Sequence, residues 1–141
     1  MWWLRECWNN KLAGVLAALG FEGRVELISA ASLAFLSDCS NDGLILLDLR
    51  GAHEIEKHTY SIPGALLTFN VDLAALIRWI PPSSTVVMFA AETIAAHDGR
   101  LRPSGRRLKV YSLEGGLQAW CQAGLPIEPV ALNDRRWVDN R

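Results

Sequence analysis

The run Leu44-Ile45-Leu46-Leu47-Asp48-Leu49 constrains this chain most, because it is short, almost wholly apolar and entered through Asn41-Asp42-Gly43. Asp-Gly ahead of such a run marks a turn into a strand buried on both faces, which is the mark of a parallel sheet. Ala65–Phe69, Thr85–Phe89 and Lys109–Leu113 are further strands, and Val25–Ile28 reads as an edge strand. Helical patterns lie between them. Ser29 caps a helix from Ala30 to about Ser37 whose Leu33 and Leu36 face inward. Val71–Ile80 places Leu73, Leu76, Ile77 and Ile80 on one face and is stopped by Pro81-Pro82, and Gly116–Ala123 is closed by Gly124 and Pro126. Strands alternating with helices predict an α/β fold with a parallel sheet of about five strands and helices on both faces. The site of chemistry is then expected beyond the C-terminal ends of the strands, in the loops after Leu49, Phe69, Phe89 and Leu113.

With 141 residues the chain is long enough for one domain whose core needs no disulfide or metal. Its 14 basic and 15 acidic side chains give a formal charge of −1, so no global field draws it to nucleic acid or an anionic membrane. Leu4, Trp8, Leu12, Val15 and Leu19 recur at helical steps and predict an amphipathic N-terminal helix ended by Gly20. The apolar run Leu12–Phe21 is too short to span a bilayer. Arg5 and Lys11 imitate the start of a secretory signal, but Glu6 lies among them and no clean cleavage site follows. Cys7, Cys39 and Cys121 fit neither a disulfide framework nor a zinc ligand set, which makes a reducing cytoplasm the plainer expectation.

The loops carry a resemblance. Leu46-Leu47-Asp48-Leu49-Arg50, Ile62-Pro63-Gly64-Ala65, Val86-Val87-Met88-Phe89, and Val110–Gly116 with Trp120 and Ala123-Gly124-Leu125-Pro126 are similar, in order and spacing, to the rhodanese family of sulfurtransferases. The resemblance implies a single rhodanese-like domain over 28–126, preceded by the N-terminal helix and lead-in of 1–27 and followed by a tail of 127–141. In that family the residue directly after the fourth strand is a cysteine. It lies in a cradle of backbone N–H groups that stabilises the thiolate and lets it accept a sulfane sulfur as a persulfide.

Here that position is Ala90, or Ala91 with one residue of slip, and neither side chain has a lone pair or proton to give. Five residues on, where the family loop carries an arginine, stands Ala95, while Glu92 brings in a carboxylate. The degenerate cradle therefore comprises Ala90, Ala91, Glu92 and Thr93. If a helix starts near Thr93, Glu92 either fills the anion site itself or faces water. Cys39 precedes the Leu44 strand, at the far end of the sheet. Cys121 lies about 7 to 8 Å down the last helix from Gly116, so neither thiol is expected at the site. Cys7 is the thiol that geometry does not exclude. The family's histidine position holds Ser61. His53, His58 and His97 match no ligand motif, so no metal and no cofactor are expected. Asp48 and Arg50 end a strand at the active edge and so can be read as catalytic; the favoured reading is structural, the carboxylate accepting backbone hydrogen bonds and the guanidinium holding a neighbouring loop.

Residues 100–109 contain Arg100, Arg102, Arg106, Arg107 and Lys109, with Pro103 and Gly105 interrupting any helix. They form a basic loop that either docks an acidic protein or phosphate-bearing partner or is simply solvated. The function expected from these features is that of a binding or regulatory module without sulfurtransferase activity. The alternative is a thiosulfate-type sulfurtransferase that uses a non-standard thiol.

Overall fold

A computed structural model describes residues 25–39, 43–69, 80–81, 83–93 and 109–130. Strand β1 (Glu26–Ile28) leads into helix α1 (Ala30–Cys39), followed by β2 (Leu44–Asp48), α2 (Ala52–Lys57), β3 (Tyr60–Ser61) and β4 (Leu66–Leu67). After these come β5 (Thr85–Phe89), β6 (Lys109–Leu113), α3 (Gly116–Gln122) and β7 (Glu128–Pro129). Five strands form one sheet in the order β1-β6-β5-β2-β4, every pair parallel. The expected α/β architecture is thus present, with Val25–Ile28 supplying the edge strand. The predicted N-terminal helix and most of Val71–Ile80 lie outside the described residues; Ile80 itself is buried.

Strand ends are in register across the sheet. Ile28 pairs with Leu113, and Asp48 pairs with both Phe89 and Leu67, so the loops after these strands leave from one edge. β5 is buried on both faces, as a central parallel strand should be: Val87 and Phe89 point one way, Val86 and Met88 the other, and all four are fully buried. On the first face, Ala30 and Leu33 of α1 and Leu117 and Trp120 of α3 pack against Leu46, Val87, Phe89 and Leu113. Removing this apolar surface from water is the main force holding the layers together.

Local chemistry sets the helix ends. Ser29 accepts the Ser32 N–H on its hydroxyl at 3.1 Å, so it is the N-cap of α1 as the sequence suggests. At the C-terminal side of α3, Gly124 adopts φ +72° and the Trp120 indole donates to the Pro126 carbonyl at 2.7 Å, which folds the chain back over the helix.

Three elements differ from the sequence reading. α2 was not expected: its one buried side chain is Ile55, and it starts where the Glu54 carboxylate accepts the Gly51 N–H at 3.0 Å. The strand expected over Ala65–Phe69 is confined to Leu66–Leu67, because Thr68 turns its hydroxyl and N–H onto the Asp48 carbonyl. β3 and β7 form an antiparallel pair of two residues each, too short to leave a period in the sequence. Through that pair the packed structure continues beyond Pro126 to the buried Val130.

Candidate functional site

Asp48, the last residue of β2, places a carboxylate in the interior with no exposure, which is costly unless every lone pair finds a donor. It finds them locally. Arg50, two residues on, donates from Nε to both carboxylate oxygens at 3.0 and 3.1 Å and from Nη2 to Oδ2 at 2.8 Å. The Arg50 backbone N–H adds a bond to Oδ1 at 3.1 Å, and the Ser61 hydroxyl donates to Oδ2 at 2.8 Å. Arg50 also reaches outward: Nη1 donates to the His58 carbonyl at 3.0 Å and Nη2 to the Tyr60 carbonyl at 2.7 Å. The pair is therefore a structural knot that fixes the chain between α2 and β4, and Ser61 contributes to it as a neutral donor.

The loop after β5 is tied to α3 through its carbonyls and one hydroxyl. The carbonyls of Ala90 and Ala91 accept the N–H groups of Leu117 and Gln118 at 2.8 and 3.1 Å, and the Thr93 hydroxyl accepts the Gly115 N–H at 2.6 Å. Ala90 is completely buried, Ala91 half-buried and Glu92 exposed. This loop is seated on Gly116, whose φ of +59° and lack of a side chain allow the close approach.

Beside it lies a groove of about 370 Å³ lined by Arg50, His58, Tyr60, Ala91, Glu92 and α3. The face of α3 that lines it carries Leu117, Gln118, Cys121 and Gln122. Cys121 is thus at the site, contrary to the sequence reading. Its distance along the helix axis had set it apart, but the groove runs along that axis, and residues one turn apart share its wall. Tyr60 is the neighbour of Cys121. Burial pushes the Tyr60 phenol above its ordinary value of 10.0; the charge of Cys121 and a hydrogen bond with its thiol add to the rise, and Arg50 opposes it.

Other expected residues are placed elsewhere. Cys39 is exposed at the end of α1. His53 is exposed on α2, and among the described residues no group of three or more His, Cys, Asp or Glu side chains could hold a metal ion. His97, Arg100, Arg102, Arg106 and Arg107 lie outside the described residues, as does Cys7. Lys109 is exposed and opens β6, so it stands at the sheet edge opposite the loops. No described helix is long and apolar enough to cross a membrane. In the sequence His58 stands out only as a candidate metal ligand that matches no motif, and Tyr60 only by its nearness to Ile62-Pro63-Gly64-Ala65.

No family model and no curated protein matches the chain. Solved structures do. A thiosulfate sulfurtransferase from Pseudomonas aeruginosa aligns with a TM-score of 0.56 at 22% identity, over 77% of this chain and 20% of that enzyme, so this chain spans about a fifth of its length. The rhodanese-like domain of an Anabaena protein aligns with a TM-score of 0.51 at 18% identity, over 74% of this chain and 79% of that domain. A rhodanese-related protein from Thermoplasma volcanium aligns with a TM-score of 0.50 at 18% identity, covering 73% and 97%. At these identities the likeness establishes architecture alone: the five-stranded parallel sheet with its helices is the fold of rhodanese-like domains.

Proposed function

We propose that this rhodanese-like domain is a binding or regulatory module without sulfurtransferase activity. The observation that carries this reading is the loop after β5, where Ala90 is buried, Ala91 offers a methyl group, and the backbone carbonyls of both residues are spent on α3. Transfer of a sulfane sulfur through a persulfide needs a thiolate, and this loop holds no cysteine. The test is sulfur transfer from thiosulfate to cyanide by the purified chain, with no turnover above a protein-free background as the expected result.

A second reading, transfer through a non-standard thiol, is favoured by the presence of Cys121 in the groove beside Ala91. Turnover that disappears in Cys121→Ser would establish it, and turnover that disappears only in Cys7→Ser would place the thiol in the N-terminal segment.

For a macromolecular partner we propose an acidic or phosphate-bearing surface held by Arg100, Arg102, Arg106 and Arg107, since guanidinium groups meet such anions in two-pronged geometry. Exposed contacts of this kind are screened by salt. Binding should fall steeply between low and physiological ionic strength and be lost when Arg106 and Arg107 are both replaced by Glu. A partner that holds the double variant as tightly as the wild type would move the docking surface elsewhere. A cytoplasmic location accords with the odd number of cysteines and with the free thiols of Cys39 and Cys121.

A further inference from the structure

Arg50 carries five guanidinium N–H groups. The Nε–H is spent on Asp48, both hydrogens of Nη2 on Asp48 and the Tyr60 carbonyl, and one of Nη1 on the His58 carbonyl. The second Nη1 hydrogen has no protein acceptor among the described residues, although the side chain is 1% exposed and forms part of the groove wall. A donor in that position is open to an acceptor that a ligand in the groove can supply.

The surroundings decide what kind of acceptor. An anion is poorly served: the charge of Arg50 is cancelled by Asp48 at 2.8 Å, and Glu92 sets a carboxylate at the rim. The carbonyls of Ala90 and Ala91 take the N–H groups of Leu117 and Gln118, so these two donors are not open to an anion. What remains on the wall is mixed in character: the His58 imidazole, the Tyr60 hydroxyl, the Cys121 thiol, and the amides of Gln118 and Gln122 beside Leu117 and Ala91. Side-chain amides and hydroxyls pair donor with acceptor, which suits a ligand that has both. The volume, about 370 Å³, falls at the small end of ligand clefts, which run from roughly 300 to 1,000 Å³.

We propose that this groove binds a small uncharged amide, whose carbonyl accepts from Arg50 Nη1 while its remaining polar groups meet Tyr60, Gln118 and Gln122. The inference rests on the binding-module reading and names the ligand class of that module's groove.

The 141-residue chain is tested with N-acetylalaninamide as the neutral probe and with acetate and phosphate as anionic probes, all at millimolar concentration. Alkylation by iodoacetamide is followed at each cysteine by peptide mass. Cys121 reports on the groove and the exposed Cys39 serves as the internal reference. The amide should slow labelling of Cys121 by about threefold at twice its Kd, as protection follows one plus the ratio of ligand to Kd. It should leave Cys39 unchanged, and the anions should protect neither thiol. Backbone amide resonances of Gln118 and Cys121 should move with the amide probe, and those of Gln118 should stop responding in Cys121→Trp, which fills the groove. Equal or better protection by phosphate or acetate would overturn the proposal in favour of an anion site. Absence of any effect would overturn it by showing that the Arg50 donor is merely hydrated. Sulfur turnover by a chain that still shows amide protection would refute the binding-module reading and leave the groove's ligand class standing.

Discussion

The α-carbon of Gly116 rests against the backbone at Ala90: a Cβ on Gly116 would stand 2.6 Å from the Ala90 carbonyl oxygen and as close to that of Glu92. The first residue of α3 and the loop after β5 therefore behave as one unit, and the shape of the loop depends on a missing side chain.

Gly116→Ala should cost more than backbone strain alone. Positive φ in a non-glycine residue costs about 1 kcal/mol, and displacing two carbonyls adds to it, for roughly 2–4 kcal/mol in all. Gly64→Ala and Gly124→Ala, which also have positive φ but open space around the Cβ, should show the strain component alone. Thermal melts of the three variants compare the two costs directly.

The buried Asp48 knot predicts an ordering of losses. Ser61→Ala removes one donor from a charged acceptor and should cost about 1.5–3 kcal/mol. Asp48→Asn leaves the buried Arg50 without a counter-charge and should cost about 3–5 kcal/mol. Urea denaturation gives both values, and an equal loss in the two variants would contradict the role assigned to the ion pair.

Tyr60 gives a pH dependence. Its phenol is held above 10.0 by burial, with Cys121 adding and Arg50 opposing, so the fold favours the neutral form. That contribution is complete below about pH 10 and is lost as pH rises through the folded value. Urea midpoints should therefore fall more between pH 9 and 11 in the wild type than in Tyr60→Phe, where about pH 10 is the ordinary phenol value.

Installing a thiol tests the loop. Ala90→Cys should give at most weak sulfur transfer, because Ala90 is completely buried and Glu92 nearby disfavours a thiolate. Turnover like that of an active sulfurtransferase from this single change would show that burial at position 90 is no barrier.

Much of this was legible in the sequence, and for identifiable reasons. Leu44–Leu49 and Thr85–Phe89 announce themselves because a strand buried on both faces needs an unbroken apolar run. Asp48 and Arg50, at a strand end on the active edge, admit both a catalytic and a structural reading in the sequence, and their buried ion pair with bonds to the His58 and Tyr60 carbonyls supports the structural one. Tyr60–Ser61 and Glu128–Pro129 were not legible, since two-residue strands are created by their pairing and by nothing local. Cys121 was misjudged because a linear distance along a helix says nothing about which cleft shares its face.

The short ribbon of β3 and β7 has a consequence for where this domain ends. Glu128 pairs with Ser61 and Pro129 with Tyr60, Val130 donates to the Thr59 carbonyl at 3.0 Å, and the Glu128 carboxylate accepts the Gly64 N–H at 3.1 Å. The strand so held is the one that delivers the Tyr60 carbonyl to Arg50 and the Ser61 hydroxyl to Asp48. Residues after Pro126 thus act as a strap across the segment that closes the ion-pair knot. A chain cut at the Ala123-Gly124-Leu125-Pro126 block would retain every residue of the knot and lose the clasp that holds it shut.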